Sequence, residues 1–300
     1  MPRAGIDIGS NTLLLLVVDD TGRVLHDEAR VIGLGRGLGD RGLMTADRLE
    51  AADACLGDYV RIAATLGVEA GNIRAVATSA ARRALNAATW TARLQRDLGL
   101  RVRILSGEEE ARLTWLGAMR DLELPEGPLL VVDLGGGSTE IVLGEGDVVH
   151  QRLSLEIGSV RLTEAFLGGR GGAPYDPVGL ARLRSHVDAE MSKVVFDPIP
   201  RTVIAVAGTA TTLATMVLEL SAWDGERVHG SRLTRLDLAR CSDRLLPAGA
   251  AARRALVPAA PDRADYLLAG AAILDRVLSS SRRSQMTVSD RGLRFGVVAG

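Results

Sequence analysis

The chain has 300 residues, 47% hydrophobic and 24% charged, which fits two folded domains with substantial cores and excludes a wholly disordered chain. A net charge of −1 argues against a nucleic-acid binder that relies on overall positive charge. The longest uncharged stretch, Thr202 to Leu218, is broken by Gly208-Thr209 and does not read as a membrane span.

Gly5-Ile6-Asp7-Ile8-Gly9-Ser10-Asn11-Thr12-Leu13-Leu14-Leu15-Leu16 opens the chain as strand, polar loop, strand. No basic segment precedes this apolar run, so no signal peptide is expected. Val24 to Ile32 reads as a further strand, followed by the glycine-rich Gly33 to Gly42. Its Gly37-x-Gly39-x-x-Gly42 spacing fits a dinucleotide pattern but opens no periodic helix, so it reads as a flexible loop. An amphipathic helix follows from Thr45 to Leu66, stopped by Gly67.

Ile73 to Thr78 is a strand leading into Ser79-Ala80-Ala81-Arg82, Trp90 to Leu98 a helix, and Val102 to Leu105 a strand. Ser106-Gly107-Glu108-Glu109-Glu110 then starts a helix with Ser106 as its N-cap. Strands alternating with helices at this spacing indicate an α/β architecture. Pro125-Glu126-Gly127-Pro128 is the expected boundary, giving domains 1–125 and 126–300, with the last residues free to pack back on the first domain.

The second half begins with a longer copy of the opening plan: Val131-Val132-Asp133-Leu134-Gly135-Gly136-Gly137-Ser138-Thr139-Glu140-Ile141-Val142-Leu143. Asp7 and Asp133 lie 126 positions apart. A duplicated unit of this size suggests two similar domains offering one loop each to a shared cleft. Beyond it, Gly168 to Pro174 reads as a mobile surface loop, residues 178–194 as a helix, and Val203 to Ala207 as a strand entering a Gly208-Thr209 loop. The remainder is mostly helical.

Three glycines in a row remove every Cβ from the second tip, so its N–H groups can approach an anion. A glycine-rich hairpin turn is the bland alternative. The tip residues Gly9, Ser10, Asn11, Thr12, Gly135, Gly136, Gly137, Ser138 and Thr139 are candidate phosphate contacts. Asp7, Asp133 and Glu140 are candidate ligands for Mg²⁺, which takes few carboxylates and bridges phosphate oxygens; a turn-capping role competes with that. Arg82, and the amide and hydroxyl of Gly208-Thr209, could add to phosphate binding. A hydrolase also needs a carboxylate to direct water, and the glutamate cluster supplies one, with Glu110 singled out; solvated acids at a helix start are the alternative. No P-loop, HExxH or GxSxG pattern is present.

Taken together, these motifs resemble the Ppx/GppA family of exopolyphosphatases and guanosine pentaphosphate phosphatases. The resemblance runs through Asp7 to Thr12, Ala77 to Arg82 with Asn86, Ser106 to Arg112, Asp133 to Glu140, Gly158 to Thr163, Gly208 to Thr211, Arg263-Ala264-Asp265 and Ser289 to Arg294. It implies two ribonuclease-H-like domains of the actin, sugar-kinase and Hsp70-like superfamily, flanking a phosphate-binding cleft with Mg²⁺. It puts the catalytic glutamate on Glu110, metal and phosphate carboxylates on Asp133 and Glu140, a phosphate-contacting arginine on Arg82, and a second basic position on Arg263. Phe295 departs from the acidic residue common after Gly-Leu-Arg in the family.

The expected activity is release of terminal orthophosphate from inorganic polyphosphate, with short chains preferred because the sequence stops where long members add helical domains. Alternatives are a guanosine pentaphosphate 5′-phosphatase and a non-catalytic polyphosphate or alarmone sensor; a kinase would pass phosphate to an acceptor rather than to water. Guanosine or adenosine nucleotides are possible partners, nucleic acid and membrane are not expected, and the family suggests a homodimer. The lone Cys55 and Cys241 fit a reducing cytoplasm.

Overall fold

The computed structural model describes residues 1–38, 42–146, 148–168 and 172–299. They form two units: Met1–Gly117 with Leu293–Gly300, and Ala118–Gly292. The first division falls at Gly117/Ala118, at the end of the helix Gly107–Ala118, upstream of the Pro125–Pro128 stretch.

Unit 1 is built on a five-stranded mixed sheet of β1 (Arg3–Ile8), β2 (Thr12–Val18), β3 (Val24–Val31), β4 (Ile73–Ala77) and β5 (Val102–Ile104). Their order is β3-β2-β1-β4-β5, with β1, β4 and β5 parallel and β2 and β3 antiparallel. Side chains alternate across the sheet. Ile6, Ile8, Leu13, Leu15 and Val17 share one core with Leu56 and Tyr59 of the helix Ala46–Thr65. Leu16 and Val18, on the other face, pack with Phe295 and Val298 of the closing helix Leu293–Ala299. The apolar Phe295 thus fills a buried position against β2, which an acidic side chain could occupy only at a desolvation cost.

Unit 2 repeats the plan with β6 (Leu129–Leu134), β7 (Thr139–Glu145), β8 (Val148–Leu155), β9 (Thr202–Val206), β10 (Arg232–Thr234) and β11 (Gln285–Val288). Its order, β10-β11-β9-β6-β7-β8, contains the unit 1 order with one antiparallel strand added outside β11. Here β6, β9 and β11 are parallel. The helix Leu267–Ser280 is buried along most of its length in a single large core. Two sheets of one topology make the chain an α/β protein of two ribonuclease-H-like units, the architecture of the actin-like superfamily.

The expected loop at Gly208-Thr209 is instead the first turn of the helix Ala207–Val217. Ala207 has a φ of 69°, so one left-handed residue turns the chain directly from β9 into the helix. Gly39 of the dinucleotide-like spacing, and Gly169 to Gly171 of the expected mobile loop, lie outside the described residues. Among the described residues no helix is long and apolar enough to cross a membrane. Cys55 and Cys241 are both buried and unpaired.

Candidate active site

In parallel α/β sheets, ligands gather beyond the carboxyl ends of the strands. The sequence-derived candidates of both units fall there. In unit 1, Asp7 sits at the end of β1, Arg82 on the helical turn Ser79–Arg83 after β4, and Glu110 on the helix after β5. In unit 2, Asp133 ends β6 and Gly208-Thr209 follows β9.

The glutamate triplet divides into separate roles. Ser106 N–H donates to Glu109 Oε2 at 2.9 Å while Glu109 N–H donates to Ser106 Oγ at 3.1 Å, a reciprocal capping box that confirms Ser106 as the helix start. The backbone and hydroxyl of Ser106, joined by the guanidinium of Arg103, hold the Glu109 carboxyl below its usual range. Glu108 is exposed. Glu110 instead takes a 2.5 Å ion pair from Arg82 Nη1, which also donates to Leu105 O at 3.0 Å. Its side chain retains only 15% of its accessible surface, so the pair is shielded more than an ordinary surface bridge.

Asp7 is the nearby anomaly. It pairs in register with Leu14, on the sheet face that the closing helix covers. Its Oδ1 is buried and accepts no hydrogen bond among the described residues. Burial pushes its carboxyl up to about 7; the Glu110 carboxylate adds to that rise and the Arg294 guanidinium opposes it. Arg294, which sequence reasoning left without a role, is fixed by Asp27 through bonds of 2.8 and 2.7 Å.

The two hairpin tips are held in the same way. Gly9 N–H donates to Thr12 O, and the carbonyls of Ser10 and Asn11 accept from Gly35, Ile32 and Gly33 N–H at 2.7–2.9 Å. In unit 2, Gly135 N–H donates to Ser138 O. The carbonyls of Gly135 and Gly136 there accept from Ser159, Val160 and Arg161 N–H, each at 3.0 Å. A Cβ on Gly158 would lie 2.4 Å from Gly136 O, so only glycine permits this approach. With their carbonyls engaged, the amides of Ser10, Asn11, Gly136, Gly137 and Ser138 have no acceptor among the described residues. Amides left over in this way bind anions.

Further contacts fix the unit 2 loop. Arg161 Nε donates to Gly137 O at 2.8 Å, a contact the sequence did not signal. Thr139 is fully buried and its hydroxyl donates to Ile157 O. Thr209, expected to be exposed, is buried and donates to Ser159 Oγ at 3.2 Å. Arg263 lies flat on Gly208, where a Cβ would meet its Nη1 at 2.1 Å. Burial works against the Arg263 charge, and Asp262 supports it.

Asp133 and Glu140 are direct cross-strand partners. Glu140 Oε1 accepts from Ser138 Oγ at 2.7 Å and Ser154 Oγ at 3.0 Å. Two half-buried carboxylates on neighbouring strands suit a hard cation that takes one or two protein oxygens and fills its shell with water and phosphate. No three metal-ligating side chains cluster among the described residues. The Asp133–Glu140 pair fits an ion of that kind.

Each of the two ribonuclease-H-like units thus carries charged side chains and spare amides at its strand ends. A profile of the Ppx/GppA phosphatase family matches residues 16–300, and the chain belongs to that family. It is 34% identical to exopolyphosphatase 2 of Mycobacterium tuberculosis, over 98% of this chain and 96% of that one. The crystal structure of an Aquifex aeolicus member of the family superposes with a TM-score of 0.83 at 34% identity, covering 99% of this chain and 96% of that chain. An exopolyphosphatase from Cytophaga hutchinsonii superposes with a TM-score of 0.88 at 25% identity, covering 100% and 97%. The chain is thus a hydrolase of the phosphatase class.

Proposed function

We propose that this phosphatase is an exopolyphosphatase, releasing terminal orthophosphate from inorganic polyphosphate. The observation that carries the reading is the Glu110–Arg82 pair, a shielded carboxylate beside a cation at the ends of β4 and β5. Glu110 orients a water molecule for in-line attack on the end phosphorus and accepts its proton, and Arg82 offsets phosphate charge. Within unit 1 the spare amides of Ser10 and Asn11 are proposed phosphate contacts, and within unit 2 those of Gly136, Gly137 and Ser138. Arg263 and the Gly208 backbone add a further anion contact. Asp133 and Glu140, cross-strand partners in unit 2, are the residues proposed to hold the metal. Mg²⁺ bound there would neutralise part of the phosphate charge.

A homodimer, as the family resemblance implies, and a reducing cytoplasm, as the lone Cys55 and Cys241 suggest, complete the proposal, with short chains the expected substrate. The test is phosphate release from polyphosphates of graded length beside guanosine pentaphosphate, with and without Mg²⁺. Mg²⁺-dependent release that favours short polyphosphate supports the reading. Hydrolysis of guanosine pentaphosphate alone, or binding without release, replaces it with the nucleotide phosphatase or the sensor.

A further inference from the structure

The segment after β3 is tied to the β1–β2 tip. Ile32 and Gly33 N–H donate to Asn11 O, and Gly35 N–H donates to Ser10 O. Gly33 has a φ of 72°, a left-handed conformation natural to glycine. The Arg36 side chain folds back over it: a Cβ on Gly33 would lie 2.5 Å from Arg36 Nε and 3.0 Å from Cζ. The guanidinium therefore fills the space that a side chain at position 33 would take, directly over backbone bonded to the phosphate-loop candidate Asn11.

Arg36 is half-buried, yet its charged group meets no carboxylate or carbonyl among the described residues. The half-buried Arg30, Arg48, Arg93 and Arg276 each bind a carboxylate. A cation partly withdrawn from water without a counter-charge is unfavourable until an anion joins it. Here it stands next to a tip whose Ser10 and Asn11 amides also have no acceptor among the described residues.

We propose that Arg36 is a substrate-binding residue that grips a phosphate of the polyanion at the β1–β2 tip. This rests on the polyphosphate hydrolase reading above. A guanidinium presents paired N–H groups that match two phosphate oxygens, which a lysine ammonium reproduces only as a point charge.

The experiment measures phosphate release from tripolyphosphate by the wild type, Arg36→Ala and Arg36→Lys, with KM and kcat separated at low and high salt. Arg36→Ala should raise KM about tenfold, with the loss falling on KM more than on kcat. Arg36→Lys should recover part of that loss, and the difference should shrink as salt rises. Thermal unfolding of each variant monitors the fold. An active wild type with Arg36→Ala KM within twofold overturns this assignment alone. A wild type that releases no phosphate from any polyphosphate overturns the hydrolase reading and this inference with it.

Discussion

At the tip of β1–β2 the Gly9 N–H closes on Thr12 O, and at the tip of β6–β7 the Gly135 N–H closes on Ser138 O, both at 3.0 Å. Each aspartate occupies the penultimate position of its first strand. The cross-strand partner is where the hairpins part: Leu14 faces Asp7, and Glu140 faces Asp133. Asp7 is half-buried, with an Oδ1 that has no hydrogen-bond partner among the described residues. Asp133 instead belongs to an acidic pair surrounded by serine hydroxyls. One scaffold thus yields two chemistries. The unit 2 hairpin suits a cation, and the unit 1 hairpin places a reluctant carboxyl beside Glu110.

The sharpest way to break this comparison is at Glu110. Replacing it with Gln should cut turnover by about a thousandfold while polyphosphate binding persists, measured by phosphate release and equilibrium binding. Next come the two aspartates. Asp133→Asn should lower activity by about a hundredfold and raise the Mg²⁺ concentration for half-maximal rate more than Asp7→Asn does. Equal Mg²⁺ shifts in both variants would erase the proposed division between the hairpins.

Smaller effects concern stability. Gly158→Ala forces a methyl group onto the Gly136 carbonyl and should cost about 1–3 kcal/mol in denaturant unfolding. Because the native Asp7 carboxyl is raised to about 7, the folded chain keeps a proton that the unfolded chain has released. Its contribution therefore destabilises the fold progressively as pH climbs from about 4 to 7 and is constant above that. In buffer without divalent cations, Asp7→Asn should remove this slope and gain up to roughly 4 kcal/mol at pH 8. A wild-type minus variant difference that stays flat across the window would contradict the burial of Asp7.

Much of this was readable in the residues themselves. The repeat of Asp-x-Gly tips announced the duplicated hairpins, and Ser106 with a glutamate three residues on announced the helix start. Period-two alternation and cap spacing are local, so they survive in one dimension. What escaped was set by distant partners. The single left-handed Ala207 turned an expected loop into a helix. The burial of Thr139 and Thr209 depends on Ile157 and Ser159, which the spacing alone does not bring to them. Asp7 lies on the sheet face covered by a helix from the far end of the chain, whose Arg294 acts on its carboxyl. That same helix explains Phe295, which reads as a departure in sequence and as core packing in the fold.

The central claim is that Glu110 directs water onto a terminal phosphate. Hydrolysis of tripolyphosphate in heavy-oxygen water, comparing the wild type with Glu110→Gln, tests it most directly. The account predicts that wild-type orthophosphate carries one solvent oxygen and that the variant binds substrate but releases almost none. Near-normal labelled release from Glu110→Gln, or phosphate passed to an acceptor without solvent oxygen, would contradict it.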